Sequence, residues 1–120
     1  MTLKTTYLFS ASMDVSPDHE ALFTEVYDTE HVPLLLQVPG VVAVTRLTTE
    51  PLAIAMGGEI RSVPNDGVPR YTALYQIEDP MVLTSDAFAA AVDQGRWPGD
   101  VRPHTLNRQH VLRKVMKPAG

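Results

Sequence analysis

A histidine and a tyrosine set four residues apart carry the chemistry this sequence most readily offers. His31 follows Tyr27 at a spacing that places both side chains on one face of a helix. An imidazole titrating near neutral pH is the natural group to take and return a proton. A phenol beside it could donate a hydrogen bond to an oxygen on which negative charge develops. Tyr75 is a second candidate for that donor. His31 stands where the helical stretch gives out, so the helix dipole favours its charged form while burial opposes it. The competing reading is structural, a histidine capping the last carbonyls or packing into a kink.

The other candidates are ranked by what else they could be doing. Tyr7, Phe9, Tyr75 and Trp97 are the kind of aromatics that supply core energy in a small domain. Tyr7 and Tyr75 also carry hydroxyls that need partners when buried, which suits the wall of a ligand pocket. Together with His104 these residues are the expected pocket lining. His104 and His110 fall on the last strand, and His19, in the first turn of a helix, is expected in solvent. The four histidines show no close ligand spacing, and Glu30 and His31 diverge on a helix, so no metal site is expected. Arg46 could hold a carboxylate, although a solvated surface role is the simpler one. The chain lacks cysteine, which excludes disulfides, thiolate metal sites and a cysteine nucleophile. No Ser-His-Asp arrangement, phosphate loop or dinucleotide fingerprint is present.

The composition bounds the function classes. The 120 residues suffice for one domain with a real core, and 44% apolar with 20% charged residues is a globular balance. Ten basic against fourteen acidic residues give a net charge of −4, which argues against a nucleic-acid surface. The basic residues Arg108, Arg113, Lys114 and Lys117 near the C-terminus read as solvation of a terminal strand. No signal-peptide layout or membrane-length apolar run occurs, so a cytoplasmic location is the expectation.

The elements that must position these residues follow from periodicity. Tyr7, Phe9, Ala11 and Met13 alternate with Leu8, Ser10 and Ser12, which predicts a half-buried strand. Ser16 and Pro17 read as the cap and first position of a helix whose apolar stripe is Leu22, Phe23, Val26 and Tyr27. Pro33 biases Val32 out of the helical region, so the helix should end or kink near His31, with a further short turn through Leu34 to Leu36. Pro39 and Gly40 form a corner, and Val41 to Leu47 is a second strand. Residues 48–69, with three prolines, two adjacent glycines and Asn65-Asp66-Gly67, read as an irregular insertion; a strand extension with an excursion in a hairpin reads equally well. Arg70 to Ile77 is a third strand. Ser85 caps a second helix through Val92, Gly95 stops it, Trp97-Pro98-Gly99 is a loop, and His104 to Val115 is the last strand, with Leu106 and Leu112 in register with His104 and His110. Lys117 to Gly120 should fray.

The order βαββαβ is the α+β, ferredoxin-like arrangement with an antiparallel sheet. Both helices then cover one sheet face, while Leu8 and Leu74 on the other call for a cover that a second subunit would supply.

Three segments add a resemblance to this frame. Glu30-His31-Val32-Pro33-Leu34 with Val38-Pro39-Gly40-Val41 resembles the helix end and corner of the EthD-like branch of the dimeric α/β-barrel superfamily. Tyr71-Thr72-Ala73-Leu74-Tyr75 resembles its third strand, and Ser85-Asp86-Ala87-Phe88 with Gly95-Arg96-Trp97 its second helix and exit. The resemblance spans residues 1–120 as a single domain apart from the 48–69 insertion. It implies a homodimer whose sheets close into a barrel, with a small apolar pocket between sheet and helices in each subunit. It also implies a helix-end histidine at the position of His31. Members include cofactor-free lyases, cyclases and monooxygenases on aromatic or polyketide-like compounds, haem binders, and proteins without known activity.

The expected function is therefore a small cofactor-independent enzyme acting on an apolar carbonyl or aromatic compound. His31 would be the proton shuttle, with Tyr27 or Tyr75 as oxyanion donor and no cofactor. The alternatives are a non-catalytic ligand-binding or structural dimer, and a haem-binding version with His31, His104 or His110 on the iron.

Overall fold

A four-stranded sheet with helices over one face forms the body of the chain in the computed structural model, which describes residues 2–117. The strands are β1 (Tyr7–Val15), β2 (Val41–Thr48), β5 (Tyr71–Ile77) and β6 (Thr105–Lys114), joined as one antiparallel sheet in the order β2-β5-β1-β6. The helices are α1 (Glu20–Val26), α2 (Val32–Leu36) and α3 (Asp86–Val92). A two-stranded hairpin, β3 (Leu52–Met56) and β4 (Glu59–Val63), stands apart from this sheet. No helix among the described residues is long and apolar enough to cross a membrane. The expected fraying of the C-terminus falls mostly on residues 118–120, outside the described residues.

The sheet has two unlike faces because strand side chains alternate. Ala11, Met13 and Val15 of β1 and Ala73, Tyr75 and Ile77 of β5 are buried under the helices, against Phe23, Val26, Leu35 and Val101. The opposite face carries Leu8, Ser10, Thr72 and Leu74. Gln76 on that face is buried because the N-terminal segment lies over it: Lys4 N–H donates to its side-chain oxygen, and its amide donates to the Thr2 carbonyl at 3.0 Å.

The helix does not break at His31. It widens, through a π turn over Tyr27–His31, and runs on into α2. Val32 keeps helical angles (φ −61°, ψ −48°), and its N–H reaches back five residues to the Tyr27 carbonyl. Proline lacks an N–H and its ring crowds the carbonyl four residues back, so widening by one residue absorbs Pro33 without ending the helix. Trp97–Val101, expected as a loop at Trp97-Pro98-Gly99, is a second π turn, closed by Arg102 N–H donating to the Trp97 carbonyl. The expected cap at Ser16 is also not made. Pro17–His19 forms a 3-10 turn, and the Ser16 hydroxyl pairs with His19 Nδ1 at 3.0 Å. Ser85 does cap α3, accepting from Phe88 N–H at 3.1 Å.

Residues 48–69, expected as an irregular insertion, contain the β3–β4 hairpin, the alternative the turn residues also allowed. Gly57 and Gly58, both at positive φ, make its two-residue turn.

Candidate functional site: an aromatic cavity under two π turns

The two π turns face each other across the top of the sheet and are tied together on their outer side. Glu30, in the first, accepts from Arg96 backbone N–H at 2.9 Å and from Arg96 Nε at 2.6 Å. These bonds hold the Glu30 carboxyl below the usual carboxylate range. Gly95 stands against this clamp at φ +70°, and a Cβ there would sit 2.6 Å from the Glu30 carboxylate. Glu30 thus points out and His31 points in.

Inside, the rings pack on one another. His31 is stacked on Trp97, ring centres 4.3 Å apart at 22°, and meets Tyr27 edge-on at 5.0 Å. Tyr27 also meets Trp97 edge-on at 5.1 Å. The Tyr27 and Tyr75 hydroxyls lie 3.3 Å apart, joining the first π turn to β5 through a buried phenol pair. His31 is 4% exposed and the two tyrosines 2% each. Its Nδ1 is buried without a hydrogen-bond partner, an exception among buried polar atoms.

Burial sets the protonation of all three. The His31 pKa is lowered to about 4, first by desolvation and then by the positive charge of Arg102. Desolvation raises both tyrosines, Tyr75 well above its ordinary value with the Tyr27 hydroxyl adding to the effect. At neutral pH the site therefore holds an uncharged imidazole and two uncharged phenols. Arg46 backs this wall from β2, its guanidinium 4.6 Å over the Tyr27 ring and bonded to Asp28 at 2.6 Å. That is a packing and pairing role at the surface.

These groups border a cavity of about 170 Å³, floored by Phe9, Ala11, Met13 and Tyr75 of the sheet and roofed by Tyr27, His31, Leu35 and Trp97. Phe88 and Val92 of α3, with Arg102, Arg108 and His110, complete the wall. A wider depression of about 470 Å³ lies between the N-terminal segment, Glu78 and Val115. None of the residues that line it is a buried titratable side chain.

Of the residues expected to line a pocket, Phe9, Tyr75 and Trp97 border this cavity, as do Tyr27 and His31. Tyr7 and His104 do not. Tyr7 sits at the far end of β1, paired with Ile77 and Lys114, its ring 5.9 Å from the Lys114 ammonium. His104 is not in the strand. Pro103 lies in a 3-10 turn, Arg102–His104, that turns the imidazole onto His19, ring centres 3.5 Å apart. His19 is accordingly half-buried rather than free in solvent.

A bulge in β6 explains why His110 reaches the cavity instead. The pairing shifts between Ser12 and Asp14, near Asn107 at φ +52°. Leu106 pairs with Asp14, whereas His110 pairs with Ala11 and Leu112 with Phe9, so Leu106 and Leu112 lie on opposite faces. Of His104 and His110, either of which could have faced the pocket, His110 does, and Arg102 and Arg108 border it without having been expected there. The spacing of His110 and Arg108, two apart on a strand, was the available signal; the bulge that aims them was not.

No known family profile matches the chain, and no curated protein matches it. Solved structures do. The heme-degrader MhuD of Mycobacterium tuberculosis, determined with two hemes in its active site, is 13% identical and aligns over 95% of this chain and 99% of its own at a TM-score of 0.59. An EthD family protein of Bacillus halodurans is 14% identical over 92% and 99%, with a TM-score of 0.55. SnoaB, a cofactor-independent oxygenase of Streptomyces nogalater, is 19% identical over 93% and 94%, with a TM-score of 0.55. At such identities the likeness is one of fold: the chain has the α+β, ferredoxin-like fold that these structures share, the fold expected from the order of its elements.

Proposed function

We propose that the protein is a small enzyme of the cofactor-independent lyase, cyclase or monooxygenase type, acting on an apolar aromatic or carbonyl compound. The observation that carries this reading is a buried imidazole with an unpartnered nitrogen beside two hydrogen-bonded phenols, all bordering one cavity. His31, neutral at pH 7, is free to accept a proton. A base whose conjugate acid titrates near 4 is weak, so it suits an activated proton, such as that of a phenol or of a carbon between two carbonyls. Removing that proton leaves positive charge on the imidazole and negative charge on a ligand oxygen. Tyr27 and Tyr75, kept protonated by burial, supply hydroxyls that can donate to that oxygen, and the low dielectric strengthens the attraction between the two new charges. The likeness in fold to SnoaB, a cofactor-independent oxygenase, supports the reading.

The cavity as it stands favours a ligand smaller than haem. His104 stacks on His19 outside it, which leaves His31 and His110 as the imidazoles that border it. The space of about 170 Å³ is also below the 300 Å³ or more usual even for drug-sized ligands.

The reading includes a homodimer. Leu8 and Leu74 are only half-buried on the sheet face away from the helices, and Leu47 beside them is exposed. A second copy closing on that face would remove them from water. Light scattering should give about twice the 13.2 kDa chain mass, and a monomer at micromolar concentration would remove the barrel assembly.

The catalytic reading is tested by offering phenolic and 1,3-dicarbonyl compounds to the wild type, His31→Gln and Tyr75→Phe proteins, following substrate absorbance and oxygen uptake. Turnover should fall by about a hundredfold or more in His31→Gln, the usual share of a general base. If compounds bind but are not turned over, or His31→Gln matches the wild type, the protein is a ligand-binding dimer instead.

A further inference from the structure

The cavity is apolar within and basic at its edge. Phe9, Met13, Leu35 and Trp97 form the inner wall, Arg102, Arg108 and His110 complete it, and no carboxylate borders it. This stands out in a chain of net charge −4. The two arginines differ in what they have left to offer. Arg102 Nη2 already donates to the Val92 carbonyl at 2.6 Å and to the Asp93 carboxylate at 3.0 Å. Arg108 lies exposed on edge strand β6, and no ion pair engages it among the described residues. His110 stacks on Phe9, ring centres 5.9 Å apart at 12°, which places an imidazole beside the same opening. Its pKa is pushed below the usual value by burial and then by the positive charge of Arg108.

We propose that the ligand of this cavity is a monocyclic aromatic carboxylate, its ring held beside Trp97 and its carboxylate at the rim on Arg108, with His110 as a second polar contact. This rests on the reading of the same cavity as a ligand site. The size supports one ring: a cavity of about 150 Å³ admits a benzene molecule, and this one measures about 170 Å³. The chemistry places the charge at the edge. A carboxylate deep among Met13, Leu35 and Trp97 would lose its hydration without a cationic partner, whereas at the rim it keeps water on one side and meets a guanidinium fork on the other. Arg102, tied to Asp93, adds less because its charge is already balanced.

The protein carries its own probe. Trp97 is its single tryptophan and forms part of the cavity wall, so intrinsic fluorescence reports occupancy directly. Benzoate and benzamide share ring and shape and differ in charge. Both should alter the Trp97 emission, with benzoate binding about tenfold more tightly at low salt, the effect of one charge-assisted hydrogen bond. Arg108→Gln should bring benzoate down to the benzamide level and leave benzamide unchanged, while Arg108→Lys, which keeps the charge, should recover part of the difference. Salt near 0.5 M should narrow the benzoate advantage at this exposed rim. Because Arg108 is exposed, these variants should melt with the wild type. Equal affinities for the two compounds, or benzoate binding untouched by Arg108→Gln, would overturn the carboxylate assignment and leave the ring site standing. No fluorescence response to either compound up to their solubility would overturn the ring site as well.

Discussion

The cavity wall and the β3–β4 hairpin draw on similar apolar side chains and leave them in opposite surroundings. Tyr27, Tyr75 and Trp97 are each 5% exposed or less, whereas Leu52, Ile54, Met56 and Ile60 are 41–74% exposed. In the wall Phe9, Tyr27, His31, Tyr75 and Trp97 each meet another ring, and β1, both π turns and β5 share the load. The hairpin pairs only with itself. A lone two-stranded hairpin is marginal in water, so its residues gain little by folding as they stand. The same difference shows in shape: the radius of gyration is 16.1 Å, against about 14 Å for a compact chain of this length. Apolar composition alone therefore does not make a core; layers from different parts of the chain must close over it.

The sharpest break in the comparison comes from the ring packed behind the wall. Phe23 is 1% exposed and contacts Tyr27, Tyr71 and Trp97. Phe23→Ala should destabilise the fold by about 3–5 kcal/mol, through lost transfer energy and the cavity left behind. Urea denaturation measures it. A loss under about 1 kcal/mol would mean that the rings can collapse into the gap and that the wall is no tighter than the hairpin.

How far the sequence revealed these two regions depends on whether the signal was local. The alternation of Tyr7 to Met13 and of Tyr71 to Ile77 was visible because a strand with one buried face writes its period into the sequence. The stripe Leu22, Phe23, Val26 and Tyr27 was visible for the same reason. The placement of His31 beside Tyr27 also followed from spacing. What stayed hidden was geometry set by a single residue. Pro33 signals a helix end, yet a π turn accommodates it, and nothing in Val32-Pro33 distinguishes the two outcomes. Trp97 sits among Pro98 and Gly99, which read as a loop and form a second π turn. The β6 bulge turned Leu106 to the other face and a 3-10 turn carried His104 off the strand, so of two histidines that shared one parity only His110 borders the cavity. Arg108 was absorbed into a terminal basic cluster because charge runs are usually solvated faces.

A smaller effect distinguishes the wall by its electrostatics. His31 is lowered from 6.5 to about 4 by burial and by Arg102, so the native state binds its proton less readily than the unfolded chain does. Stability from this group is complete above pH 6.5, is lost as pH falls toward 4, and is flat below that. The gap corresponds to roughly 3 kcal/mol. Carboxylates such as Glu30 titrate on the acid side too, so the measurement is a difference: denaturation at pH 7 and pH 4 for wild type and His31→Gln. The wild type should lose roughly 3 kcal/mol more than the variant over that interval. Equal losses would mean that the native imidazole titrates near its ordinary 6.5, so burial would not set its protonation and the restriction to activated protons would fall.

The smallest effect belongs to the hairpin and is the most informative about what covers it. Ile60 is 74% exposed, and its cross-strand partner is Ala55, which offers little surface to pack against. In an isolated chain Ile60→Ser should change stability by no more than about 0.5 kcal/mol, the usual range for surface positions. The measurement belongs at several protein concentrations, because an interface linked to folding makes the apparent stability rise with concentration. If Ile60→Ser stays near neutral at every concentration, the hairpin is a free arm and the contrast with the cavity wall is intrinsic to the chain. If the variant costs more than about 1 kcal/mol, and only where the protein is concentrated, a second copy shelters Ile60. The hairpin would then complete its burial across the dimer, as the wall completes its own within one subunit.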